Sequence, residues 1–470
     1  MAQPTSKPFQ SELNNFRALN ASDHPRNIAD DELAALIGFM PVGRSLKTVR
    51  STSSYADLSA SLTIRSVFEC NFSGAVRYLV AFSDGSLYRY NNTFGSPTLV
   101  AAAGTFTVPA FAQWVSPTTG DRVLIIDPTA GYFSYDNATL SAKISTYVGT
   151  SIAVYKQRAF IANGRNYYYS DPDDFTGFAA GGGAAKDNYP SLGTSIIKLV
   201  AQEDYLYLIG DKGTHILHGI QILADASTAF TLSDSLPGIG TNELHSISTW
   251  KNAIWLWGID GITVIQGASY NVVSGPIVDL LNVVSSIGAS FFVRIHRRIV
   301  FCVSVQLTSP LSGQVELWLL CFTEGKWFCV KTDIFYDRAI TSHNFENVYA
   351  LPIATSTAIV YSAFLGSAAM LRKVRTKAFS FGSSTKNKQI IKVGVIATAS
   401  GLTPTVQAIS DRSGSAALLP PDAVPDSGDY LYSKEIDARG KSVAFDYEET
   451  SATQYTLSGL ILEGTTGADW

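Results

Sequence analysis

A hairpin built to one recipe recurs along this chain. An apolar strand enters a turn that contains Asp or Gly, and an aromatic or β-branched strand leaves it. The recipe reads Tyr78-LVAFSDGSLYR-Tyr90, Val123-LIIDPTAGYFSY-Asp136 and Ala159-FIANGRNYYYS-Asp171. It returns as Leu206-YLIGDKGTHILH-Gly219, Ile254-WLWGIDGITVIQ-Gly267 and Val315-ELWLLCFTEGKWFC-Val330. The turn glycines are Gly85, Gly131, Gly164, Gly213, Gly261 and Gly325. Their spacing runs from roughly thirty to sixty residues, around the ~40–50 of propeller blades. A small sheet of this kind buries its faces only against a neighbour, so the array implies an all-β ring, a β-propeller of six or seven blades.

Composition agrees. The 470 residues exceed what one ordinary core organises unless the fold repeats. The chain is 46% hydrophobic and only 16% charged, and it is rich in Tyr and Phe with three Met, a bias that suits strands. Low charge on a folded chain suits a surface that meets other protein. The formal net charge of −4 gives no global basic field to concentrate nucleic acid. The first ten residues, MAQPTSKPFQ, lack an apolar secretory core. The apolar stretch Phe291–Val305 is broken by Arg294, His296, Arg297 and Arg298, so no segment reaches the ~20 apolar residues of a membrane span. These features predict assembly in a cytoplasm without membrane insertion. Four cysteines are too few for a disulfide scaffold. Cys321 and Cys329 lie symmetrically about Gly325, which sets them opposite each other across a hairpin, and a reducing compartment predicts buried free thiols there.

Three regions follow. Residues 1–48 lack the hairpin recipe and read as an extended N-terminal arm that packs on something else, with Asp30 N-capping a short helix through Gly38. Residues 49–377 read as the propeller, with Val348-YALPI and Thr357-AIVYSAF as a further strand pair. Gly177–Gly193, with Gly181, Gly182 and Gly183 in a row, reads as a long loop, and Ser274–Ser290 as carrying one short helix. Residues 378–470 read as a β-sandwich-like domain with strands at 389–398, 404–411, 430–437, 442–447 and 454–463, and with Pro420 and Pro421 in a loop.

No catalytic constellation stands out, and no cofactor or metal site is expected. His215 and His218, three apart on a strand, face opposite sides. Asp171, Asp173 and Asp174 form the densest acidic cluster, but Asp-Pro-Asp is foremost a turn signal. The turns at Asp84, Asp211 and Asp260 lack the flanking pattern of sialidase Asp-boxes, and Asp-Gly is what a hairpin turn prefers. The strongest charge feature is basic: Arg372, Lys373, Arg375, Lys377, Lys386, Lys388 and Lys392 occur with no acid between them. The first four are the candidate contacts to DNA phosphates or an acidic partner. The same lysines also suit an edge strand that resists aggregation.

Several segments together resemble the tail nozzle or hub proteins of short-tailed bacteriophages, the packaged-DNA stabilisation proteins. They are Asn15-FRALNASDHPRNIADDELAALIGFMPVG followed by Thr48-VR, Ala159-FIANGRNYYYSDPDDF, Asp204-YLYLIGDKGTHILHG, Trp250-KNAIWLWGIDGITVIQGASYNVVS and Lys441-SVAFDYEETSATQYTLSGLILEG. The family's opening glycines are replaced here by Arg17 and Ala18. The resemblance spans nearly the whole chain and implies a structural virion protein without catalytic residues. It implies a homo-hexameric ring in the tail below the portal and its adaptor, carrying tail spikes or fibres and a distal needle or plug. The channel would retain packaged DNA and pass it, without sequence preference, at ejection. A mildly acidic chain suits such a conduit. The alternative from another class is a glycan-binding or glycan-cleaving propeller. Paired carboxylates near the propeller axis would favour that alternative, and a ring-forming lateral surface would favour the nozzle.

Overall fold

The computed structural model describes residues 7–58, 62–144, 147–178, 193–202, 204–222, 228–342, 345–352, 358–381, 386–410, 415–418, 425–426 and 429–467. The glycine run at 181–183 and the proline pair at 420–421 lie outside the described residues. Within them the fold is all-β, and the single α-helical turn is Val278–Leu281. The helix expected in 274–290 is thus one turn, after which Val284–Ile295 runs as a strand.

Seven small antiparallel sheets follow one another around a ring, so the fold is a seven-bladed propeller. Blades 1 to 5 occupy 64–101, 110–135, 151–169, 196–237 and 248–272. Blade 6 is Val284–Ile295, Arg298–Thr308, Val315–Thr323 and Lys326–Thr332. Blade 7 is Arg338–Thr341, Val348–Leu351 and Ile359–Gly366, completed on its outer edge by Ser51–Asp57 from the start of the chain. That last pairing closes the ring. The first strand of each blade lies innermost, around the axis.

Period-2 alternation explains why the blade strands read as continuous apolar runs. In Tyr205–Gly210, Leu206 and Leu208 pack with Phe160 and Tyr169 of blade 3, whereas Tyr207 and Ile209 pack with Ile254 and Leu256 of blade 5. In Arg122–Asp127, Val123 and Ile125 face blade 1, and Leu124 and Ile126 face blade 3. In blade 1, Tyr78, Val80 and Phe82 meet Tyr349 and Val360 of blade 7. Every blade therefore spends both faces on its neighbours.

The two ends of the chain form one β-sandwich. One sheet holds, in order, Pro425–Asp426, Asp429–Gly440, Lys388–Ala397, Thr456–Thr466, Ser45–Thr48 and Phe39–Val42, with Lys7–Leu13 also on Thr456–Thr466. The other extends blade 6. Beyond Lys326–Thr332 come Glu32–Ile37, Met370–Thr376, Val443–Ser451, Thr405–Ser410 and Ser415–Leu418. The chain passes from one sheet to the other at Gly38 (φ +74°), where a Cβ would stand 2.5 Å from Leu371 O. Only glycine fits that crossing.

Three expectations are corrected. The N-terminal segment, expected as an arm that packs on something else, is part of the sandwich, to whose two sheets its strands belong. The helix expected from Asp30 is the strand Glu32–Ile37, because strands on both sides hold its backbone: Gly38 N donates to Cys329 O at 2.8 Å, and Leu36 pairs with Val374. The propeller ends near Gly366 rather than at 377, since Met370–Thr376 already pairs in the sandwich. A fourth correction concerns sulfur. The turn at Glu324 and Gly325 sets Cys321 opposite Phe328, not Cys329, and Cys321 faces Cys302 on its other side with the Sγ atoms 3.3 Å apart. All four cysteines are free and buried.

Candidate functional site

The basic run occupies the strand Met370–Thr376 and its exit. Burial alternates along it, so Arg372 shares the interior face with Met370 and Val374, while Lys373 and Arg375 take the other face. The neighbouring strand Val443–Ser451 brings an acid to each: Arg372 sits opposite Glu449, Lys373 opposite Glu448 and Arg375 opposite Asp446. Lys373 Nζ donates to Glu448 Oε2 at 3.0 Å and lies 3.7 Å from Asp446. Arg375 binds Asp446 with two parallel N–H donors, which raises its pKa, and Lys377 pairs with Asp30.

The run is therefore a ladder of ion pairs across two strands. Along the chain the nearest acids to Arg372 are distant, and the sheet register supplies them. Arg372 is fully buried, which removes it from the candidate contacts to DNA or a partner. Lys373, Arg375 and Lys377 keep 16%, 30% and 15% of their side-chain surface, with their charges already matched.

Lys377 opens into a cleft of about 690 Å³ between the strand Lys7–Leu13, the segment 14–31 and the loops 377–381 and 441–442. Arg26, Lys377 and Lys441 line it together with Glu12, Asp30 and Asp31. Phe9 and Phe381 pack beside it with ring centroids 4.5 Å apart. Balanced charge beside an apolar wall suits a protein partner more than a polyanion.

The propeller axis holds a second site that sequence reasoning missed, since its residues come from blades 1, 4, 6 and 7 and from the link 244–247 before blade 5. A cavity of about 180 Å³ is lined by Lys198, His245 and Arg338, with Ser66, Ile247 and Ser290. Among the described residues no carboxylate lines it. Burial brings Lys198 down to about 8. Burial, then the charges of Arg338 and Lys198, brings His245 down to about 3.

The Asp171–Asp174 segment is a turn. Asp174 Oδ1 accepts from Thr176 N at 2.8 Å, and Asp171 N donates to Gly177 O at 2.9 Å. His215 is buried and His218 lies against Tyr205. Among the described residues no group of three or more His, Cys, Asp or Glu is placed to hold a metal ion, and no helix is long and apolar enough to cross a membrane.

No family model and no curated protein matches this sequence. Solved structures align with it at low identity. BBS1N in complex with ARL6DN is 10% identical with a TM-score of 0.44, over 67% of this chain and 96% of that one. The extracellular domain of the one component system BT4673 from B. thetaiotaomicron is 10% identical with a TM-score of 0.45, over 87% and 63%. YCF48 bound to D1 peptide is 9% identical with a TM-score of 0.39, over 70% and 97%. These likenesses concern the fold alone.

Proposed function

We propose that this chain is a non-enzymatic scaffold, a nozzle or hub subunit in the tail of a short-tailed bacteriophage. In this reading it forms a homo-hexameric ring below the portal and adaptor, bears spikes or fibres and a distal plug, and retains DNA until ejection. The observation that carries the reading is where the family-like segments fall. Asn15 to Gly43 threads both sheets of the sandwich, the three hairpin motifs form blades 3, 4 and 5, and Lys441 to Gly464 supplies the two closing sandwich strands. Each motif thus occupies a framework position in chain order. The propeller and sandwich share one continuous sheet, as a load-carrying subunit requires. The ion-pair ladder and the mixed-charge cleft favour protein contacts over adhesion to DNA.

The glycan reading receives less support. Glycoside hydrolysis needs two carboxylates flanking the scissile bond, and the axial cavity offers cations instead. Negative-stain microscopy of the protein assembled on its adaptor tests the proposal: six-fold rings are expected. Virions carrying a chain without residues 1–28 should package DNA and leak it, since the loss strips Lys7–Leu13 from the sandwich and one wall from the cleft. Normal retention and infection by such particles would overturn the role given to this region. Turnover of a glycan by the purified protein would overturn the non-enzymatic reading.

A further inference from the structure

We propose that the axial cavity of the propeller binds a small oxyanion, a phosphate or carboxylate group, held between Lys198, Arg338 and His245. The proposal does not rest on the role in a tail.

Three basic side chains, from blade 4, the turn 244–246 that leads into blade 5, and blade 7, converge on one cavity that no acid lines among the described residues. None of the three has an ion-pair partner among the described residues, in contrast to Arg372 with Glu449. Their protein contacts are to neutral carbonyls. Lys198 Nζ donates to Ile247 O at 3.0 Å, which uses one of its three N–H donors. Arg338 Nε donates to Arg65 O at 3.1 Å, and its Nη1 donates to Asp337 O at 3.3 Å. That leaves three of its five N–H donors, one on Nη1 and two on Nη2. His245 makes no protein hydrogen bond among the described residues. Gathering like charges in a walled cavity raises the free energy of the empty site and focuses the field on its centre. An anion there would relieve the repulsion and occupy the spare donors together.

The downward shifts of Lys198, His245 and Arg338 have the same origin, burial with too little opposing charge. For Arg338, burial lowers the pKa most, Asp337 offsets part of that, and Arg65 adds a smaller further lowering. The space admits a small ion with water. An adjoining cavity of about 310 Å³ shares Ile247, Ser290 and Ala339 and is walled by Phe291, Phe292 and Phe345. Ser248 lines it as well, and its buried hydroxyl has no partner. The second chamber can seat an organic group attached to the oxyanion.

The test is calorimetric titration of the full chain at low ionic strength with inorganic phosphate, acetate and phenyl phosphate. Saturable binding of one equivalent is expected for phosphate or acetate, and the stronger of the two defines the head group. Tighter binding of phenyl phosphate than of phosphate would add the second chamber to the site. Lys198→Met and Arg338→Gln should each weaken binding about tenfold or more, whereas exposed Arg439→Gln should not. Nitrogen resonances of the His245 ring in the unmodified chain should shift on phosphate addition, a readout that needs no variant to fold. Absence of saturable binding by both ions would overturn the proposal. So would equal binding by folded Lys198→Met and Arg338→Gln chains, or a His245 ring unmoved at saturation.

Discussion

Arg372 and Glu449 lie opposite each other on adjacent sandwich strands, and their ion pair at 3.2 Å is sealed from solvent. Arg372 also donates to Ser451 Oγ at 2.8 Å, and its guanidinium lies 5.1 Å from the ring centre of Tyr455. Tyr455 in turn donates to Glu449 at 3.2 Å. A buried pair of this kind is costly to break and cheap to replace whole. Arg372→Leu should therefore cost about 3–5 kcal/mol, because it strands the Glu449 carboxylate. Arg372→Met combined with Glu449→Leu should cost clearly less than the single change. Urea unfolding of the three chains measures the order.

Ring closure depends on Gly366. A Cβ there would stand 2.6 Å from Thr52 O and 2.5 Å from Ser51 Oγ, on the strand that completes blade 7. Gly366→Val should push that strand away and destabilise the propeller by about 1–3 kcal/mol. Limited proteolysis should then cut near 51–57 in the variant and spare the parent.

His245 links stability to acidity. Its native pKa of about 3 lies below its ordinary 6.5, so between these values the unfolded chain takes up a proton that the native site refuses. The stability tied to this residue is intact above pH 6.5 and is lost as pH falls towards 3. Unfolding free energies of the parent and of His245→Gln should therefore diverge in that window, with the parent falling more steeply. The extra slope should stay below about 1.4 kcal/mol per pH unit, the limit for the uptake of a single proton.

The thiols should be silent in the native protein. Burial raises Cys70 to about 12 and places Cys321 and Cys329 well above the ordinary thiol range. A thiolate reagent at pH 8 should titrate none of the four within minutes and all four in denaturant. Fast native labelling of Cys321 would contradict the packing of blade 6.

Much of the ring was legible because a hairpin is a local object. Gly85, Gly131, Gly164 and Gly261 each turn, with positive φ, between the second and third strands of a blade. The hairpin at Gly325 misled on position: it joins the third and fourth strands of blade 6, and the middle hairpin there turns through 309–314 instead. What escaped the sequence depended on distant partners. Glu32–Ile37 carries helix-like spacing of Leu33, Leu36 and Ile37, yet waits for strands some 300 residues away. The run from Arg372 looked unpaired because its acids lie more than seventy residues on. Lys198, His245 and Arg338 share no local pattern at all, and only ring closure brings them together.

The pairing of Lys7 with Thr466 also sets a clock. The two strands are separated by 459 residues, which a ribosome adding about 5–20 residues per second takes roughly half a minute to a minute and a half to span. Blade 7 can complete as soon as Gly366 emerges, because Ser51–Asp57 is already waiting. The sandwich cannot, since Lys7–Leu13 and Ser45–Thr48 both need Thr456–Thr466. An interrupted chain thus displays a finished wheel with open strand edges at its side, the feature that invites aggregation or proteolysis. Arrival of Thr456–Thr466 is thereby written into the fold, and a chain that stops short of it carries its own mark for rejection.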